Sequence, residues 1–398
     1  MRILIHMGDS YPNEGPAAKR MSVFANTLTS HGHSVAVLAP MNDSKEYGAE
    51  KVYHCPTVKL KKKTLLRRLL NQIFFSLTSV IISFASGPAD VVITTSPPAL
   101  IGVSGWVIAK IKRAKLVYDV RDIWPDVAWG MGKLEQDSFV SKVFEWVRDF
   151  MLKHADLVTA VSPGKIERLK TYVPQAKISF ITNGLDERFL DNAFVEAITE
   201  EYNFKANFSC VYIGNLGWAQ GLMQLMDVAQ RAKDEKLSVK FYLFGSGVEE
   251  DLLKSFAQEH KLDNVVFAGR LPNSTMYTVL KSADMSFVSL VNDNLKDSVP
   301  TKLFEALGVG CPVLLASVGD SADILNESRL GIAVRPNDRE GLWNAFKELY
   351  EHHDDFIKNR EYAKNVVLTK YSRQKAAEQL EAELSELLQA ELKYDFCN

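Results

Sequence analysis

DSVPTKLFEALGVGCP, residues 297–312, holds two acids eight positions apart, Asp297 and Glu305, on either side of Pro300. A proline at the start of a helix is already set in φ and gives up no intrahelical hydrogen bond. The spacing therefore predicts a helix that begins near Pro300 and runs through LFEAL to Gly308 or Gly310. Asp297 then lies in the loop before the helix and Glu305 within it. The first N–H groups and the positive end of the helix dipole face whatever sits against the loop. Thr301 and Lys302 occupy the first turn, and Lys302 adds a full positive charge. Such a place suits a diphosphate; the same pattern also describes an ordinary loop-to-helix connection with solvated acids.

Outward from this stretch, short apolar runs alternate with amphipathic ones. Before it, SCVYIGNLGWAQG, VKFYLFGSG, NVVFAGR and MSFVSL read as strands separated by helical segments, and VLLAS and GIAVRP follow it. Further upstream RILIHM, SVAVLAP, ADVVITTS, KLVYDV, DLVTAVS and KISFIT repeat the alternation, which is the pattern of parallel sheets with helices between the strands. At 398 residues the chain is too long for one ordinary core, so two successive α/β domains are expected. Their expected extents are 1–190 and 200–370, joined near Asp186–Glu201, where the periodicity breaks. Residues 371–398 read as a C-terminal helix rich in i, i+4 charge pairs, with packing on either domain, including back on the first, left open by the sequence. The strand-end loops of the second domain supply Gly214, Asn215, Gln220 and Gly245, while VVFAGRLP ends in Arg270 and Leu271. Each glycine alone is most simply a turn, but all share the face at the strands' carboxyl ends, where parallel sheets bind ligands.

Lys+Arg number 47 against 49 Asp+Glu, a net charge of −2, so there is no overall basic field for nucleic acid. Cys55, Cys210, Cys311 and Cys397 are scattered, and the pairs His31/His33 and His352/His353 lack a third ligand at metal spacing; neither a metal nor a cofactor is expected. With no stretch that resembles a signal peptide, the chain reads as cytoplasmic. The first loop, GDSYPNEGPAAKR, is not GxGxxG, which disfavours a dinucleotide-binding dehydrogenase. Gly15, ahead of Pro16, either brings backbone close to a ligand or makes a plain turn.

Two stretches of the first domain stand out. KLKKKTLLRRLLNQIFFSLTSVIISFAS, residues 59–86, passes from a basic cluster into an apolar run interrupted by Asn71 and Gln72, short for a span of about 20 residues. It reads as a helix lying on an anionic membrane surface, or as a buried helix with a solvated basic end. DVRDIWPD then places Asp119, Arg121 and Asp122 at the end of a strand, as a functional cluster or a structural knot of ion pairs.

The order of GPAAKR, SHGHSVAVLAP, ITNGLDERF, GNLG, FGSG, VVFAGRL and DSVPTKLFEALGVGCPVL resembles the retaining glycosyltransferases of family 4, over nearly the whole chain. The resemblance implies the GT-B fold: α/β, two Rossmann-like doubly wound domains facing a central cleft. Asp297 and Glu305 fall on the family's E-x7-E pair. Glu305 would then bond the ribose, Asp297 the donor sugar, the helix start with Thr301 and Lys302 the diphosphate, and Arg270 and Leu271 the base. Gly214, Asn215, Gln220 and Gly245 would line the donor, and Gly15 would approach the phosphates. TTSPP, RDIWPD and AQG resemble the L-fucosamine-type transferases of surface-polysaccharide assembly. These imply a nucleotide-sugar donor, a lipid-linked saccharide acceptor, and a peripheral place on the inner face of the cell membrane.

Three departures accompany the resemblance. The first acid is Asp297, one methylene shorter than Glu. Trp218 and Gln220 stand where relatives place cations. The family's active-site histidine has no counterpart, and Asp119, Arg121 or Asp122 would act in its stead, with Arg121 and Asp122 counted with the acid pair as catalytic. Two rivals stay open at this point: a sugar-nucleotide epimerase of the same fold, and a binding subunit without catalysis.

Overall fold

The computed structural model describes residues 1–12, 15–41, 50–58 and 65–395. The lysine cluster of residues 59–63 lies outside the described residues. The chain folds into two compact units, residues 1–183 with the segment from Arg373 onward, and Gly184–Ser372.

The first unit is built on seven parallel strands: β1 (Arg2–His6), β2 (Ser34–Pro40), β3 (Lys51–Cys55), β4 (Val91–Ser96), β5 (Lys115–Val120), β6 (Leu157–Ala160) and β7 (Ile178–Phe180). They lie in the order β3-β2-β1-β4-β5-β6-β7. β3, KVYHC, escapes the sequence reading because it is short, edge-placed and half polar. A parallel sheet is covered on both faces, so its strands are near-continuously apolar. Alternate residues serve opposite cores. Ile3 and Ile5 of β1 pack with the helix Gly15–Ser30 and with Ala377, Leu380 and Leu384 of the last helix, Arg373–Asp395. Leu4 faces the other way, toward Phe75 of the helix Leu65–Ser83, Ile108 of Ile101–Lys112 and Met151 of Phe139–His154.

The second unit repeats the plan with six parallel strands: β8 (Phe208–Ile213), β9 (Val239–Phe244), β10 (Val265–Gly269), β11 (Met285–Ser289), β12 (Val313–Ala316) and β13 (Gly331–Val334). Their order is β10-β9-β8-β11-β12-β13. Both sheets switch direction beside their first strand, β1/β4 and β8/β11, the topology that opens a crevice at the carboxyl ends. The Asp186–Glu201 stretch carries a helix of its own from Glu196, ending at Tyr202, which packs on Asn273–Ser282 within the second unit.

The turn Ser30–His33 is more than a solvated surface. His31 Nδ1 lies 2.6 Å and His33 Nε2 2.7 Å from the carboxylate of Glu381 on the last helix, and Thr27 donates to Gln374. The bond to Glu381 raises the pKa of His31. Partial burial opposes, but the bonds from His31 and His33 hold the Glu381 carboxyl below its ordinary value. A raised histidine stabilises the fold below the free imidazole value of about 6.5 and loses that contribution as pH climbs through its folded pKa. A lowered carboxyl loses its contribution only in the acid range. Replacing Glu381 by Gln should therefore lower the melting temperature more at pH 6 than at pH 8, and thermal scans of both proteins at the two values check this.

Candidate functional site

The strand-end loops of the second unit come together as backbone. β8 runs out at Ile213, and Gly214 donates its N–H to Phe244 O at 2.8 Å, Leu216 to Ser246 O at 3.0 Å and Gly245 to Gly269 O at 2.7 Å. Gly214 (φ +150°) and Gly245 (φ +145°) hold conformations that side chains rarely adopt. A Cβ at 245 would sit 1.7 Å from the Gly214 carbonyl oxygen, and one at 214 would sit 2.9 Å from Lys302 Nζ. Only glycines let these loops meet the lysine so closely. Arg270 follows β10 and donates from Nε to Ser246 Oγ at 2.6 Å, so three successive strand ends are tied in one row.

The helix opposite spans Thr301–Val309, with Pro300 at the capping position in extended backbone (ψ 133°) rather than inside the first turn, and Gly310 left-handed at its end. Pro300 itself makes no side-chain cap bond, so the first N–H groups of the helix take their acceptors from elsewhere. Lys302 donates from Nζ to Tyr212 Oη at 2.7 Å and lies 4.0 Å from the centre of the same ring. Tyr212 passes the bond on, donating to Asn215 O at 2.6 Å. Burial lowers the Lys302 ammonium to about 7, against the opposing pull of Glu305 one turn along. Nothing in the local sequence marks Tyr212, which points from β8 into this contact.

Asp297 is buried, while Glu305, Thr301 and Leu271 are half-buried. The loop before the helix is fastened from below: Asp320 N–H donates to Lys296 O at 3.0 Å and Ser321 Oγ to Ser298 O at 2.8 Å. Trp218 to Gln220 form a 3₁₀ turn; Trp218 is exposed, and the Gln220 carbonyl accepts from Ser289 Oγ.

In the first unit, Asp119 is buried, with Oδ1 accepting from Thr159 and Arg20 and Oδ2 from Thr95. Both oxygens are committed to the fold, so at this residue the knot reading describes the geometry. Arg20, from the GPAAKR segment, also donates to the Ile181 and Thr182 carbonyls. Arg121 is directed elsewhere: Nε donates to Thr95 Oγ1 at 2.9 Å, and Nη2 donates to Pro97 O and to Asp9 Oδ2. Burial lifts the Asp9 carboxyl above its ordinary value although Arg121 pulls it down. Asp9 is absent from the residues expected from sequence; its only signal there is its place straight after the first strand. Asp122, half-buried, continues the turn, and Gly15 opens its helix at φ +86°.

Residues 15–184 match the family model described as glycosyl transferase 4-like domain, and residues 207–352 the one described as glycosyl transferases group 1. WbjE of Pseudomonas aeruginosa, named as a glycosyltransferase, is 26% identical over 300 residues, 73% of this chain and 74% of that one. WcaI of Escherichia coli K12, whose name assigns it to colanic acid biosynthesis as a glycosyl transferase, is 26% identical over 397 residues, 92% of this chain and 96% of the relative. HepE of Anabaena, solved in complex with UDP and glucose, superposes with a TM-score of 0.74 at 16% identity, covering 97% of this chain and 100% of that one.

The glycine contact can be tested without any ligand. Gly245→Ala combines a strained φ with a backbone clash and should cost about 3 kcal/mol. Urea unfolding followed through the second unit's transition should show a lower midpoint at unchanged slope.

Proposed function

The chain belongs to the glycosyltransferases, with a 4-like first domain, a group 1 second domain and the GT-B fold, and on that premise we propose that it moves a sugar, with retention, from a nucleotide sugar to a lipid-linked saccharide in cell-surface polysaccharide biosynthesis. The observation that carries the donor half is the meeting of Gly214, Gly245 and Lys302 at the start of the helix Thr301–Val309. Backbone N–H groups, a helix dipole and one half-buried amine converge there, an arrangement suited to a diphosphate. In this reading Thr301 and Lys302 hold the diphosphate, Glu305 the ribose, Asp297 the sugar hydroxyls, and Arg270 with Leu271 the base. HepE, of the same fold, was solved with UDP, which supports a UDP-linked donor. The resemblance of TTSPP, RDIWPD and AQG to L-fucosamine-type enzymes supports an N-acetylated deoxysugar. In the first domain Arg121 takes a phosphate and Asp122 orients the acceptor hydroxyl, leaving Asp119 to position them.

The names of WcaI and WbjE support the polysaccharide setting. The membrane half of the reading rests on the helix Leu65–Ser83. Leu70, Ile73, Phe74, Leu77, Ile81 and, just beyond its end, Phe84 are all exposed. At 100° per residue they fall within a sector of about 100°. Arg67 is exposed one turn before them. Among the described residues, Leu69–Ser86 is long and apolar enough to cross a bilayer by length and composition. Its other side is held to the sheet, Phe75 buried against the His6 ring and Ser79 bonded to His6 Nε2 at 3.0 Å, which favours lying on the surface over crossing it. Such a peripheral, cytoplasmic enzyme meets its lipid-linked acceptor where that acceptor resides.

Glu305→Ala and Lys302→Ala should each keep the fold and cut transfer at least tenfold (about 1.4 kcal/mol); full turnover in both, measured with a panel of UDP-sugars, would remove the assignment. A phosphate placed against Lys302 restores its charge, so binding takes up a proton. Calorimetric affinity for UDP should then fall about tenfold as pH rises from 7 to 8.5, and Lys302→Met should abolish the slope. On the membrane side, replacing Leu77 and Ile81 together by Asp should lower co-sedimentation with anionic phosphatidylglycerol vesicles at least fivefold while the melting temperature holds.

A further inference from the structure

The inward side of the same helix borders a cavity of about 270 Å³ within the first unit. Gly8 and Ser10 after β1, Pro40 at the end of β2, Pro98 after β4 and Thr57 after β3 surround its mouth, so it opens at the carboxyl ends of the strands. Asn71, Gln72 and Phe75 close it from the helix. These are the two amides that interrupt the apolar run of residues 69–85.

Among the described residues the lining is neutral, with no Lys, Arg, Asp or Glu bordering the cavity. A phosphate or carboxylate would find no cation there, and a hydrocarbon would strip water from two amides and two hydroxyls without replacing it. A sugar residue meets both halves of the lining, with hydroxyls around its edge and C–H groups on its faces. The volume lies just under the ~300 Å³ at which pockets for larger ligands begin, which suits one sugar unit. Asn71 Oδ1 already accepts from Val58 N–H at 2.8 Å, leaving its amide N–H groups to donate. Gln72 Oε1 is buried with no hydrogen-bond partner among the described residues, and a polar atom of that kind calls for a donor.

We propose that this cavity holds a sugar residue of the lipid-linked acceptor, with Asn71 and Gln72 as its hydrogen-bonding wall and Phe75 and Pro98 as its apolar one. One helix then serves both ends of the acceptor, the lipid on its outer side and the saccharide on its inner side. The assignment rests on the acceptor reading given above.

Saturation-transfer NMR on the full chain tests it, with octyl glucoside, galactoside, mannoside and N-acetylglucosaminide below micelle formation and octanol as the lipid-only arm. Sugar-ring protons of at least one glycoside should be saturated, and the signal should drop at least fivefold in Gln72→Leu, which keeps the volume, and in Ser10→Trp, which fills the mouth. Ring protons silent across the panel, saturation confined to the octyl chain, or signal unchanged in both folded variants would each overturn the site. UDP binding is measured on the same samples. Intact UDP binding with silent ring protons removes the cavity and leaves the transferase reading standing; loss of UDP binding in wild type counts against the transferase reading while the ring-proton result still decides the cavity.

Discussion

A parallel sheet has two apolar faces and is stable only when both are covered, and the first unit meets that requirement at the cost of sequence order. One face takes the helix Gly15–Ser30 and needs a second cover, which the chain supplies about 190 residues after leaving β7, with Ala377, Leu380 and Leu384. The other face takes several helices, of which Leu65–Ser83 buries one side and leaves a band of large apolar side chains outside. What makes the unit fold and what makes its surface unusual thus come from one constraint.

Charge follows the same logic at closer range. The buried ion pair of Arg20 and Asp119, 3.1 Å apart, is supported by hydroxyls on the carboxylate and by backbone carbonyls on the two guanidinium Nη atoms, and it ties β5, β6 and the end of the first lobe together. Lys302 is the contrasting case. It is held by the Tyr212 hydroxyl and ring, and burial there lowers its ammonium pKa.

Sequence made the alternation of strands and helices readable because a parallel sheet writes its burial as uninterrupted apolar runs. The glycine loops were readable for a similar reason: GNLG and FGSG each follow such a run. Contacts made by distant residues were not. Tyr212 is one more apolar-looking position in VYIG, and its hydroxyl gains meaning only when Lys302, 90 positions later, arrives against it. Asp9 looks like any loop acid until Arg121 reaches it, and Asp119, the neighbour that seemed equally placed for chemistry, is spent on packing. The direction faced by Leu77 or Gln72 was likewise open, since periodicity divides a helix into sides without saying which side meets the sheet.

The backbone contact between Gly214 and Gly245 also bears on how the proposed donor site can vary. Two positions at the centre of the loops are closed to every side chain, so inherited or laboratory variation is diverted to their neighbours. Asn215, Trp218, Gln220 and Ser246 lie near the fixed pair on the same strand ends, and a library restricted to these four would vary the proposed donor site on an unaltered frame. The glycines make the loops a constant socket with exchangeable edges.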